Sequence, residues 1–160
     1  METARRPLRA QSARRALERC GELTLPHVGW IVRSRLYVNV VWTTRGRARL
    51  IDSSIARFLT EFLPAVARQE RAQVLELGIV RTHVHVLLRL HPMTEIPRLV
   101  QRLKGGSSVL AGQLAARAGF PQLHWARGYA LQSVSPNRIE AARKYVRSQQ
   151  LRHPDEAIKL

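Results

Sequence analysis

Residues 74–90, VLELGIVRTHVHVLLRL, hold two largely apolar runs that only Arg81 and Thr82 separate. Runs of this length that are rich in β-branched side chains are typical of strands, and so short a break between them predicts a hairpin. We therefore expect antiparallel strands over residues 74–80 and 83–90.

The chain on either side of this hairpin supplies two further strands and a terminal helix. Residues 36–43, LYVNVVWT, are rich in β-branched and aromatic side chains and predict a strand, and residues 129–134 predict a shorter one. Ser135 is placed to cap a final helix over residues 136–152, with a proline in its first turn.

Two helical patterns lie between the strands. The first is capped by Asp52 or Ser53, and the second runs from Ile96 to Leu114 through a glycine pair that is a poor helix former. The resulting order, βα-ββα-β plus a terminal helix, predicts an α+β fold of the ferredoxin-like type. In this fold a four-stranded antiparallel sheet carries two helices on one face, and the C-terminal helix is an addition.

The chain is strongly basic. Its 160 residues include 27 Lys and Arg against 11 Asp and Glu, which gives a formal net charge of +16 at pH 7. Such an imbalance predicts an anionic partner, either nucleic acid or an acidic membrane surface. The alternative is an ordinary protein whose arginines reflect codon usage, but codon usage alone does not explain the scarcity of acids.

Arginines crowd the first twenty residues, and we interpret residues 1–30 as a basic N-terminal arm and residues 31–160 as one domain. The single cysteine, Cys20, excludes an intrachain disulfide and a cysteine-based zinc cluster. No apolar stretch approaches the roughly 18 residues of a membrane span, and no convincing secretory signal follows Arg5-Arg6. We therefore predict a cytoplasmic protein without a membrane partner.

The histidine pair in the second hairpin strand is the first candidate for chemistry. His83 and His85 are two residues apart, so a strand places both side chains on one face with Cα atoms about 6 to 7 Å apart, while Val84 and Val86 fill the other. Two adjacent imidazoles form half of a site for a divalent metal. The alternative is a pair of structural histidines, although burying two titratable rings without a partner is costly.

The terminal helix offers the groups that the histidines lack. Tyr145 and Gln149 are four residues apart, so they share one helix face beside the apolar side of the helix. This places the Tyr145 hydroxyl over the sheet. The alternative is a tyrosine at a core boundary and a solvated glutamine.

Five motifs occur in order, and together they resemble a known family. They are Trp42-Thr43-Thr44, His83-Val84-His85, Leu103-Lys104-Gly105-Gly106-Ser107-Ser108, Trp125-Ala126-Arg127-Gly128-Tyr129 with Ser133-Val134-Ser135, and Tyr145-Val146-Arg147-Ser148-Gln149 with His153 beyond. The chain resembles the single-tyrosine HUH transposases of the insertion-sequence-200 type, more closely the group associated with repetitive extragenic palindromes (REP). Many members carry Asp before the first histidine, where this chain has Thr82.

The resemblance implies a chemistry for each candidate. In this family a tyrosine attacks a DNA phosphodiester, forms a 5′-phosphotyrosine and frees a 3′-hydroxyl, so the matching nucleophile is Tyr145. It also implies a divalent metal, Mg or Mn, held by His83 and His85 with Gln149 completing the set. The protein is then a metal-dependent transesterase that cleaves and rejoins single-stranded DNA next to hairpins.

The resemblance also implies DNA-binding roles for several basic and aromatic residues. Lys104 with its glycine pair is expected to approach a phosphate or a base, and Trp125 and Arg127 to flank a loop that stacks on an unpaired base. The basic turn at Arg45 and Arg47 is a further expected DNA contact. For Trp125 the alternative is a side chain that only packs its loop onto the core.

The resemblance also implies a homodimer, in which the tyrosine acts either at the histidines of its own chain or at those of the partner. We predict that the cytoplasmic protein is associated with the nucleoid. The main alternative function is a catalytically silent regulator that binds hairpins and derives from such a transposase. A metallohydrolase that uses the histidine pair alone is less well supported, because Glu76 is the only acid expected close to the hairpin.

Overall fold

The structure is a computed structural model, and it describes residues 34–118 and 122–158. The described residues from Leu36 onward belong to one compact unit. The predicted basic arm over residues 1–30 lies outside the described residues. Among the helices of the described part, none has both the length and the apolar character that crossing a membrane requires.

Four strands form one antiparallel sheet in the order β2-β3-β1-β4. They are β1 (Leu36–Thr43), β2 (Ala72–Val80), β3 (His83–Leu90) and β4 (Ala130–Val134). The predicted strands over residues 36–43 and 83–90 are confirmed at both ends, while β2 begins two residues earlier than predicted and β4 one residue later. This order and the helices described next confirm the predicted ferredoxin-like α+β fold.

The hydrophobic core lies between one face of this sheet and the helices α1 (Ser53–Gln69) and α2 (Ile96–Ala118). Asp52 caps α1 as predicted, because its carboxylate accepts a hydrogen bond from the backbone N–H of Ile55 at 2.8 Å. The buried core side chains alternate along the central strands and meet those of both helices: Val38, Val40, Trp42, Val84, Val86, Leu88, Leu59, Leu63, Leu99 and Leu103.

Helix α2 continues unbroken through the glycine pair that disfavours it. A Cβ atom at Gly106 would lie 2.8 Å from Cζ of Phe62 on α1, so the missing side chain lets the two helices approach closely. Leu103, Ser107 and Ala111 are buried on the same helix. Tertiary packing therefore outweighs the low helix propensity of this segment.

The chain after β4 differs from the single helix predicted over residues 136–152. It forms a 3₁₀ turn (Pro136–Arg138), α3 (Ile139–Arg147), α4 (Gln149–Arg152) and a second 3₁₀ turn (Pro154–Glu156). The helix is interrupted at Ser148, where the hydroxyl of Ser148 and the side-chain amide of Gln149 both donate to the carbonyl of Tyr145. The predicted cap is also wrong, because the hydroxyl of Ser135 donates to the Asn137 side chain instead.

Gly78 on β2 allows α3 and α4 to lie directly on the sheet face opposite the core. A Cβ atom at this position would lie 2.3 Å from the carbonyl oxygen of Val146 and 2.8 Å from Cγ of Gln149. Gly78 is also the cross-strand partner of His85. The sheet therefore has no side chain at the point where the helix carrying Tyr145 comes closest to the histidine pair.

We expect Gly78→Ala to lower the free energy of unfolding by about 1 to 3 kcal/mol, because the methyl group would overpack this contact. Gly112→Ala is a matched control, since a Cβ atom at Gly112 in α2 has nothing within 4 Å. That substitution is expected to raise stability by up to about 1 kcal/mol through helix propensity. Urea unfolding of both variants measures the difference, and a Gly78→Ala protein as stable as the wild type would contradict the contact.

Candidate active site

The two histidines lie side by side on the sheet face that the core does not use. Their ring centroids are 5.2 Å apart with the planes at 65°. Both residues are buried, His83 at 4% and His85 at 7% exposure, while Val84 between them points into the core. This arrangement confirms that β3 places the pair on one face.

Tyr145 on α3 lies against the second histidine of the same chain. Its ring centroid is 5.7 Å from that of His85, at 76°. The residue is 42% exposed, so part of its side chain remains accessible to solvent. The guanidinium carbon of Arg152 lies 4.7 Å from the centroid of the Tyr145 ring, and Arg152 Nε donates to the hydroxyl of Ser148.

Gln149 is fully buried beside the histidines, not solvated. Its Nε2 donates to the carbonyl of Tyr145 at 3.1 Å. Its Oε1 and the Nδ1 atom of His85 are both buried and have no hydrogen-bond partner among the described residues. Both atoms are therefore available to a further ligand at this site.

These residues fit a divalent metal. Within residues 34–118 and 122–158, no three His, Cys, Asp or Glu side chains come together in an arrangement that holds a metal ion. A metal at the histidine pair therefore needs a ligand of another type, and the side-chain amide of Gln149, which lies close to His83, offers an oxygen of the right type.

Burial keeps both imidazoles neutral, the form that a metal binds. Burial, together with the neighbouring His83 and His153, lowers the pKa of His85 from 6.5 to about 4. Burial and His153 also lower the pKa of His83, while Glu156 and the nearby amide of Gln149 partly oppose this. At neutral pH each ring therefore has a nitrogen lone pair.

The C-terminal 3₁₀ turn (Pro154–Glu156) places the carboxylate of Glu156 near Nδ1 of His83. Glu156 accepts a hydrogen bond from the Thr82 hydroxyl at 2.5 Å, and its Oε2 lies 3.4 Å from His83 Nδ1. The ring of His153 stands perpendicular to that of His83 at 5.0 Å. Glu156 also lies beside the hairpin, so the expectation that Glu76 is the only acid there is wrong. No sequence pattern signals this contact, because 74 residues separate Glu156 from Thr82. Glu76 instead pairs with Arg147 at 2.7 Å.

Two of the residues predicted to bind DNA have contacts within the fold. The Lys104 ammonium group donates to the backbone carbonyls of Ala126, at 2.9 Å, and Gly128. Trp125 Nε1 donates to the Ser107 hydroxyl at 2.9 Å, and its ring meets Trp42 edge-on at 5.9 Å. Both side chains thus fix the loop that contains Arg127, which is exposed.

This loop and the basic turn lie at the same end of the sheet as His83. The N–H of Ala126 donates to the carbonyl of Thr43, which is the cross-strand partner of His83. The N–H of Arg45 donates to the carbonyl of His124, and the exposed Arg47 lies 4.0 Å from Glu156. The structure therefore brings Arg45, Arg47 and the loop to the end of the sheet where β3 begins.

The sequence matches a family model described as "Transposase IS200 like" over residues 32–149. The chain belongs to the IS200-like transposase family. It is 29% identical over 119 residues to the ISDra2 transposase TnpA of Deinococcus radiodurans, which covers 72% of this chain and 84% of that one. As a member of this family, the protein functions in the transposition of DNA.

Two solved structures share the fold of this IS200-like protein. One, from Deinococcus radiodurans and described as a candidate transposase, has a TM-score of 0.59 and 22% identity, and covers 79% of this chain and 98% of its own. The other is a REP-associated tyrosine transposase bound to a REP hairpin. It has a TM-score of 0.55 and 11% identity, and covers 81% of this chain and 74% of its own.

The low pKa of His85 predicts that the metal-free protein loses stability in mild acid. Below pH 6.5 the unfolded chain protonates this histidine, whereas the folded protein does not until about pH 4. The unfolded state therefore binds more protons in this window, and the free energy of unfolding falls by up to about 3 kcal/mol as the pH drops through it.

Urea unfolding between pH 4 and 7.5, in the presence of a chelator, gives the free energy of unfolding of the wild type and of His85→Gln. The change with pH of the difference between these two free energies measures the contribution of His85. Contributions from the carboxylates are common to both proteins. Parallel pH profiles for the two would contradict the buried, neutral state of His85.

Proposed function

We propose that this transposase cleaves and rejoins single-stranded DNA beside hairpins through a covalent bond to Tyr145. The observation that supports the proposal best is the convergence of four residues from two distant parts of one chain: His83, His85, Tyr145 and Gln149. Their positions suit a nucleophile that is open to DNA above a buried set of ligands.

Tyr145 would act as the nucleophile. Its phenol loses its proton to the surroundings as the oxygen attacks the phosphorus of a DNA phosphodiester. The bond from phosphorus to the 3′ oxygen breaks, and that oxygen takes up a proton and leaves as a 3′-hydroxyl, so no net proton is consumed. The product is a 5′-phosphotyrosine, and a 3′-hydroxyl reverses the step to rejoin DNA. The partial exposure of Tyr145 gives DNA access to the ring, and its packing on His85 fixes the direction of the side chain.

His83, His85 and Gln149 would hold a divalent metal, Mg or Mn. Their fit rests on the neutral imidazoles and on the unpartnered atoms His85 Nδ1 and Gln149 Oε1. When bound, such an ion polarises the scissile phosphate and stabilises the negative charge that develops during the reaction. The protein's own contribution is to keep both imidazoles deprotonated and to hold Gln149 beside them.

We propose single-stranded DNA with hairpins as the substrate. The net charge of +16 favours an anionic partner, and one relative with the same fold is bound to a REP hairpin. Arg45, Arg47 and Arg127 would contact phosphates near the site. Lys104 and Trp125 would act mainly by holding the loop of Arg127, although the open side of Trp125 can still stack on an unpaired base.

Each chain would use its own tyrosine. In the structure Tyr145 packs on His85 of the same chain, and the backbone next to it packs on Gly78 of that chain. A homodimer, if it forms, then has two complete sites.

We expect wild-type protein with Mg or Mn to form a covalent adduct with single-stranded hairpin DNA taken from the flanks of its gene. Tyr145→Phe removes the phenol oxygen and should abolish the adduct, and a chelator should abolish it for the wild type. Denaturing gel electrophoresis of end-labelled DNA measures the adduct.

Tyr37→Phe is the matched control, since Tyr37 on β1 pairs with Arg89 and Val134, at the opposite end of the sheet from His83. It should form the adduct at the wild-type rate. An adduct that survives in Tyr145→Phe would contradict the assignment of the nucleophile. Tight hairpin binding with no adduct on any flanking substrate would favour the silent regulator instead.

A further inference from the structure

We propose that Glu156 is a positioning residue that fixes the tautomer of His83 through the hydroxyl of Thr82. The inference rests on the proposed metal-binding role of His83. It assigns a part in the site to the C-terminal segment, which lies beyond the matched family region at residues 32–149.

The hydrogen bonds around Thr82 determine the direction of each proton. The Thr82 hydroxyl has one hydrogen and donates it to the Glu156 carboxylate at 2.5 Å, because an ionised carboxylate only accepts. The Thr82 oxygen also lies 2.9 Å from His83 Nδ1. Since its hydrogen is already engaged, the oxygen must accept at this contact, and Nδ1 must carry the hydrogen.

A neutral imidazole with its hydrogen on Nδ1 has its lone pair on Nε2. The Glu156 carboxylate favours the same tautomer directly, since its Oε2 is 3.4 Å from Nδ1. Histidines that bind metals commonly donate their other N–H to a carboxylate or a similar group, which orients the ring and raises its basicity. The contacts of Thr82 and Glu156 therefore leave the lone pair of His83 on Nε2, where a metal would bind.

The backbone around Glu156 is fixed to the turn that precedes His83. The N–H of Arg81 donates to the carbonyl of Glu156 at 2.9 Å, and Arg81 Nε donates to the carbonyl of Ala157 at 3.3 Å. Ile158 is buried against the core. The backbone of Glu156 is thus held at this position independently of the hydrogen bond that its carboxylate makes.

The test compares Glu156→Ala with Asp155→Ala, which removes an equal charge from an exposed position on the same turn. Nitrogen-15 NMR of the histidine rings in the metal-free protein reports the tautomer of His83. We expect the wild type and Asp155→Ala to carry the hydrogen on Nδ1. In Glu156→Ala the Thr82 hydroxyl is free to donate to Nδ1, so a large share of His83 should move its hydrogen to Nε2.

Calorimetric titration with Mn²⁺ is the second measurement. Glu156→Ala should bind Mn²⁺ about 10- to 100-fold more weakly than the wild type, while Asp155→Ala should match it. Glu156→Gln keeps an oxygen that accepts from Thr82, so it should restore the wild-type tautomer and part of the affinity. Such a rescue would not follow from a purely structural loss of the side chain.

An unchanged His83 tautomer in Glu156→Ala, or the same change in Asp155→Ala, would overturn the inference. Absence of Mn²⁺ binding by the wild type would instead contradict the metal in the proposed function. The tautomer comparison is made without metal, so it decides the role of Glu156 in that case as well.

Discussion

At Gly78 the sheet has no side chain, and the backbone of α3 occupies the space that one would fill. This close approach sets the distance between two parts of the chain that are far apart in sequence, the histidine strand and the tyrosine helix. Gly78 is paired with His85, so the contact brings Tyr145 and Gln149 directly to the imidazoles. A larger residue would separate Tyr145 from His83 and His85 even if every side chain of the proposed site were retained.

The two faces of β3 differ: one packs in the hydrophobic core, and the other carries the histidine pair. Val84, Val86 and Leu88 pack against α1 and α2, and they hold the strand in a core that a metal or DNA does not reach. The opposite face presents His83 and His85 to a second layer made by the C-terminal helices. Burial under that layer keeps the histidines neutral in a chain with a large positive charge, whereas Arg45, Arg47 and Arg127 are exposed, where they can attract an anionic partner.

The sequence was sufficient to predict the parts that depend on local pattern. Alternation in β3 predicted that the histidines share a face, and a spacing of four predicted that Tyr145 and Gln149 lie together. The break at Ser148 was not predictable, because it depends on two side chains that share the carbonyl of Tyr145. The contact of Glu156 with Thr82 joins residues far apart in sequence, and only the folded chain shows it. Lys104 and Trp125 were predicted as DNA contacts, but their hydrogen bonds to the loop appear only in the structure.

We propose that one chain supplies a complete site. A mixture of His83→Ala and Tyr145→Phe proteins, coexpressed with different tags and purified through both, tests it directly in the adduct assay. Because the tyrosine is proposed to serve the histidines of its own chain, the mixed species should form no adduct, while wild type purified in the same way should. An adduct in the mixture would show that Tyr145 of one chain acts at the histidines of another, and would contradict the account.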